Sequence, residues 1–291
     1  MLEPQEVKII PSIIKRAKRL YPLYILIVIA MTVVGFVGLK QWPDDFFSYF
    51  IFAQNYYWLY NPEGSQVFTC GHFWYLTLDV YLVLIWLIIF RVTNRKYITP
   101  VLVTLIVIAI CYRAYFSHVN HMMAYTTPFG VMDSFALGGL LAVMMKRGNS
   151  SKVLPVIALV IGVIGFFACV IKVAMINDVS LWDGLVLFKT STGYAMNPFT
   201  IQVLLFIPFV CFALVWFSLV PRKHFGVFSN PKIVAFGAMT YEFYLVHYPI
   251  LTVLKSILPN KISVIFVGLV MTFVGTTIWN KLYARLTHQL A

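Results

Sequence analysis

Apolar runs close to 20 residues long recur along the whole chain, and that recurrence restricts the solvent it can fold in. They lie near 21–39, 73–90, 98–116, 129–145, 153–176, 200–220, 233–254 and 262–282. A helix of about 20 apolar residues crosses the hydrocarbon core of a bilayer. Within that core only helices and closed barrels satisfy their own backbone. Charged residues make up 11% of the 291 residues and hydrophobic ones 61%, too little charge to cover a water-soluble surface. The same composition excludes disorder. The sequence therefore predicts an all-α, polytopic integral membrane bundle of about eight transmembrane helices, with residues 1–291 forming a single transmembrane domain.

The net charge of +12 falls in short groups between the apolar runs. Nucleic-acid binding needs such charge gathered on one exposed face; here the spacing is that of loops beside anionic lipid. With the N-terminus inside, sixteen of the 22 Lys and Arg residues fall on the inner side. That bias predicts both termini in the cytoplasm. Lys8, Lys15, Arg16, Lys18 and Arg19 precede the first run with no small-residue cleavage site behind it, so the run reads as a signal anchor. Cys70, Cys111, Cys169 and Cys211 form no CxxC pair and read as small apolar fillers.

Two outer loops are long, 40–72 and 177–199, and long ordered loops on one side shape binding surfaces. Segment 45–60 is too polar and too short to span, and its aromatics suit an interfacial helix or a packed loop.

Polar residues inside the runs carry the candidate chemistry. Arg16 and Arg19 share a helix face at i, i+3 spacing. They read either as a positive-inside anchor or as a forked guanidinium clamp for cytoplasmic phosphates. Pro22 is expected in the first turn of its span, where a missing N–H costs little. Asp79 lies roughly 9 Å below the outer surface at 1.5 Å per residue, a depth at which a carboxylate is functional or paired; Arg113 or a hydroxyl is the structural alternative. His72, Trp74 and Tyr75 fall at the outer mouth, where an aromatic belt accounts equally well for the last two. Asp133 enters from the outer side ahead of Gly138 and Gly139, which permit close helix approach. Thr240, Tyr244 and His247 follow i, i+4, i+7 spacing and form one polar stripe. His247, roughly 10 Å deep, reads either as a satisfied structural residue or as an acid, base or hydrogen-bond donor. Glu242 is expected deeper, on another face. His118 and His121 share a polar loop without the further ligands a metal needs.

At these residues the sequence resembles the membrane-bound acyltransferase 3 family, which O-acetylates cell-surface polysaccharides and related acceptors. Four blocks match in order: KRAKRLYPLY, HFWYLTLDVYL, MDSFALGGLLA and FGAMTYEFYLVHYPIL. Asp79 stands where the family has its acid, and Glu242 departs from a small or uncharged residue. The resemblance implies an acyl donor, usually acetyl-CoA, bound from the cytoplasm by Arg16 and Arg19, with no metal. It implies an acceptor hydroxyl, on a glycan or lipid-linked sugar, reached from the outer side of a bacterial cytoplasmic membrane. Asp79, Tyr244 and His247 would line the transfer site, and Trp74, Arg113, Asp133 and Tyr241 would meet the acceptor. Family members typically have ten spans, and the first carries an arginine and a histidine essential for transfer. The chain therefore looks like a member lacking its first two helices, with a missing segment that another chain could supply. The alternatives are an inactive truncated member, or a transporter or flippase for a glycolipid or small solute, with which Pro22, Pro155, Pro208 and Pro249 are compatible.

Overall fold

A computed structural model describes residues 9–68, 70–148, 152–183, 206–219 and 230–289. These residues are helical, with no strand among them. Among the described residues six helices are long and apolar enough to cross a membrane: Ile10–Gly38, Gly71–Val92, Arg95–Ser117, Met122–Lys146, Val153–Ile176 and Lys261–Arg285. They coincide with six of the expected spans. The chain is thus an all-α, multi-pass membrane protein.

Two expected spans differ. Of 200–220, the described part is a shorter apolar helix, Ile207–Leu219, and the rest lies outside the described residues. The run 233–254 is not one helix. It breaks at Met239 into Pro231–Ala238 and Thr240–Ile257. The first of these is exposed along nearly its whole length. The second is about 27 Å long at 1.5 Å per residue.

Two compact units make up the chain. A central unit falls within Leu78–Phe225; a terminal unit combines Lys8–Thr77 with Gly226–Ala291. The boundary cuts helix α4 (Trp74–Val92) between Thr77 and Leu78.

In the terminal unit, α1 (Ile9–Leu39) buries Leu20, Leu23, Tyr24, Ile27 and Val28. That is the i, i+3, i+4, i+7, i+8 stripe of one helix face. Its opposite face is equally apolar but exposed, with Leu26, Ile29, Val33, Phe36 and Val37 open, as a lipid-facing surface is. Segment 45–60 folds as two short helices, α2 (Phe46–Phe50) and α3 (Gln54–Tyr60). Two adjacent carboxylates build this loop. Asp44 is exposed and accepts from the Ser65 amide and hydroxyl, both at 2.9 Å; these donors hold it below the usual carboxylate range. Asp45 is buried and accepts from Trp58 Nε1 and the Val67 amide, both at 2.8 Å. Burial outweighs those donors and pushes it upward.

Pro22 is not in a first turn. Helix α1 begins at Ile9, so the proline sits inside it and leaves the Lys18 carbonyl without its i+4 donor. The hydroxyl of Tyr283 supplies one at 2.7 Å. Tyr283 belongs to the last described helix of the unit, Lys261–Gln289.

The central unit holds the Leu78–Val92 part of α4, α5 (Ile98–Val119), α6 (His121–Thr126), α7 (Pro128–Lys146), α8 (Val153–Ile176) and α9 (Ile207–Leu219). Helix α8 turns small residues inward and large ones outward: Ala158, Gly162 and Gly165 are buried, while Ile157, Ile161, Ile164 and Phe167 are exposed. A Cβ at Gly165 would overlap the Phe206 ring, and one at Gly162 would press on Val210. Small residues let membrane helices approach closely where apolar burial gives no preference. Numbering the remaining helices in chain order makes Pro231–Ala238 α10, Thr240–Ile257 α11 and Lys261–Gln289 α12.

Candidate active site

The expected site residues fall into separate groupings. Arg113 and Asp133 belong to the central unit, on α5 and α7. They are 1% and 0% exposed and form a two-pronged ion pair. Arg113 NH1 also donates to the Gly130 carbonyl at 2.6 Å, and the Ser134 amide donates to Asp133 at 2.9 Å. A side chain at Gly130 would collide with the Ala124 carbonyl, so glycine permits the tight α6–α7 turn beneath the pair. Asp133, not Asp79, is the partner of Arg113. Asp79 lies half-buried on α4 in the central unit.

The terminal unit gathers the others along α11. At its start the Tyr241 hydroxyl donates to the Leu20 carbonyl at 2.9 Å. Arg19 reaches the Ala238 carbonyl at 3.4 Å, where the last carbonyls of α10 favour a cation. Arg16 is half-buried one turn earlier on α1. Glu242 is buried in the first turn of α11, level with this group rather than at mid-helix, and the unpaired amides of a helix start favour a carboxylate there.

Two turns further along α11 lies an aromatic and imidazole cluster. The Tyr244 hydroxyl donates to the His72 carbonyl. The rings of His72 and His247 stand 5.5 Å apart in T-shaped contact, with Tyr244 5.4 Å and Tyr248 5.0 Å from His72. His247 Nδ1 lies 2.7 Å from the Tyr244 carbonyl. A carbonyl only accepts, so Nδ1 donates here, the tautomer in which an imidazole keeps its lone pair on Nε2. Trp74 packs half-buried against the core of the unit, and its carbonyl accepts from Asn55 at 2.9 Å.

The family model described as an acyltransferase domain matches residues 7–280, nearly the whole chain and both units. The chain belongs to the acyltransferase 3 family. It is a membrane-embedded acyltransferase, moving acyl groups between carriers. No curated protein and no solved structure gives a significant match.

Sequence reasoning placed His72 at the outer mouth without a role. Its signal was Pro249, which lies inside α11 and strips the Leu245 carbonyl of its helical donor. The side chains of His118 and His121 lie outside the described residues. Among the described residues no three of His, Cys, Asp and Glu gather closely enough to hold a metal ion.

Proposed function

We propose that this acyltransferase moves an acetyl group from cytoplasmic acetyl-CoA to a hydroxyl of an exported glycan or its lipid-linked precursor, across a bacterial inner membrane with both chain ends inside. One observation carries the reading. Helix α11 begins beside the arginine-bearing part of α1, where Tyr241 bonds the Leu20 carbonyl, and carries His247 further along. Six residues separate Tyr241 from His247, roughly 9 Å at 1.5 Å per residue, a length that the flexible arm of coenzyme A bridges.

In this reading Arg16 and Arg19 hold the phosphates of the donor through charge-assisted bonds. His247 Nε2 takes the proton of the acceptor hydroxyl as its oxygen attacks the thioester carbonyl. The new C–O bond forms, the C–S bond breaks, and the imidazolium returns the proton to the departing thiolate. Tyr244 holds the loop that carries His72, Tyr241 anchors α11 to α1, and Trp74 borders the acceptor path. By the family resemblance Asp79 is assigned a catalytic role. Arg113 and Asp133 are not expected to meet the sugar, since they are buried and paired with each other.

Membranes carrying the chain are to be offered radiolabelled acetyl-CoA and extracted glycans. Acetyl transfer is expected, falling about 100-fold or more in His247→Ala, the usual scale for losing a general base. Arg16→Ala with Arg19→Ala should raise the KM for acetyl-CoA. Transfer at the wild-type rate in His247→Ala would remove the imidazole from the chemistry, and solute movement untouched by the arginine changes would favour a transporter.

A further inference from the structure

We propose that His72 is a positioning residue for His247, acting by supplying the hydrogen-bond donor that Pro249 removes from α11. This inference rests on the reading of His247 as the base.

Pro249 has no N–H, so the Leu245 carbonyl, two residues before His247, loses the bond that would close that turn. Nε2 of His72 lies 3.4 Å from this carbonyl. The carbonyl cannot donate, so Nε2 of His72 bears the proton. A second bond runs back, from the Tyr244 hydroxyl to the His72 carbonyl. The Tyr244 carbonyl in turn holds His247 Nδ1. One residue of the loop before α4 is therefore tied at its ring and at its backbone to the helical turn that presents the catalytic imidazole.

The pattern at Pro22 makes the role specific. There the vacated Lys18 carbonyl is filled by a tyrosine hydroxyl, Tyr283, which suffices for a structural bond. At Pro249 the filler is an imidazole in ring contact with a second imidazole. The two rings are held in opposite tautomers, His72 protonated at Nε2 and His247 at Nδ1. A rotation of His72 loosens the Leu245 turn and tilts Nε2 of His247. A misplacement near 1 Å in a reacting group costs about 100-fold in rate.

Three variants test this together with a spectroscopic readout. His72→Phe keeps the ring and removes the donor; turnover is expected to fall about 10- to 100-fold with the KM for acetyl-CoA little changed. His72→Gln returns an N–H near the Nε2 position and should recover most of the rate. Pro249→Ala restores the backbone N–H to Leu245, so His72→Phe in that background should lose under about 3-fold; this suppression would not follow from a general packing role. Histidine side-chain 15N spectra of the full chain in nanodiscs report tautomers independently of activity. The expected spectrum has His72 protonated at Nε2 and His247 at Nδ1, with the His247 signal averaging between tautomers in His72→Phe. Equal losses for His72→Phe with and without Pro249, or a wild-type His247 protonated at Nε2, would overturn the proposal. Should His247→Ala leave transfer intact while the tautomers are as stated, the base assignment fails and the clamp stands as architecture alone.

Discussion

The central and terminal units bury polar groups by different means. In the central unit, Arg113 and Asp133 pair with each other and with the Gly130 carbonyl and the Ser134 amide, and the pair is closed to water and lipid alike. In the terminal unit, the polar side chains Tyr241, His72, Tyr244 and Tyr283 turn to backbone carbonyls. Two of these carbonyls, Lys18 and Leu245, were vacated by prolines. The central unit closes its buried charges on an ion pair, whereas the terminal unit ties polar side chains to backbone carbonyls. On the proposed reading the reacting imidazole belongs to the terminal unit, although both units carry intramembrane polar residues.

The strongest way to break this contrast is to open the ion pair. Arg113→Ala leaves a buried carboxylate alone, and the loss should be about 3–5 kcal/mol, read as a collapse of the thermal midpoint in detergent. The double change Arg113→Ala, Asp133→Ala should cost less than the two single losses added together. Additive losses would mean the pair is not the unit of stability.

A smaller effect should follow from crowding the small-residue face of α8. Gly165→Leu drives a branched side chain into Phe206, with an expected loss of about 1–3 kcal/mol. Substitution of Ile164, which faces outward, should be neutral in the same assay.

Smaller still is the hydroxyl that replaces an amide at Pro22. Tyr283→Phe should lose about 1 kcal/mol. Pro22→Ala, which returns the helical N–H to Lys18, should largely abolish that loss.

The smallest effect is a pH dependence that sharpens the comparison within a single loop. Burial raises Asp45, so its contribution is fully present below its unfolded value, about 3.9, and is lost as pH rises through the higher folded value. Asp44 is lowered by its Ser65 donors, so its contribution is present above that unfolded value and is lost as pH falls through the folded one. Asp45→Asn should therefore flatten the decline in thermal midpoint on going from acid toward neutral pH. Asp44→Asn should flatten the decline toward strongly acid pH. Unchanged slopes in both variants would refute the assignment.

The helices were legible because a bilayer demands long apolar runs, and six of them stand where hydropathy places them. Which face of each helix is inside was not legible. Both faces of α1 are apolar, and only the buried Leu20–Val28 stripe separates core from lipid. The break at Met239 was hidden because no proline marks it and the apolar run resumes at Phe243. For the site, spacing brought Thr240, Tyr244 and His247 onto one stripe. The pairing of Arg113 with Asp133 was missed because two residues 20 apart on different helices meet only through tertiary packing. The role of His72 was missed for a related reason: its partner is a backbone carbonyl, whose availability depends on a proline four positions downstream.

The composition of the terminal unit has a consequence for biosynthesis. Its helix α1 leaves the ribosome well before the helix that carries His247 and before Tyr283, which completes the Lys18 turn from 265 residues further along the chain. At about 5–20 residues per second, α1 stands in the bilayer for roughly ten seconds to a minute with that turn open. The central unit, contiguous in the chain, can assemble in the interval. On the proposed reading, a chain interrupted after the central unit would enter the membrane without the imidazole of His247.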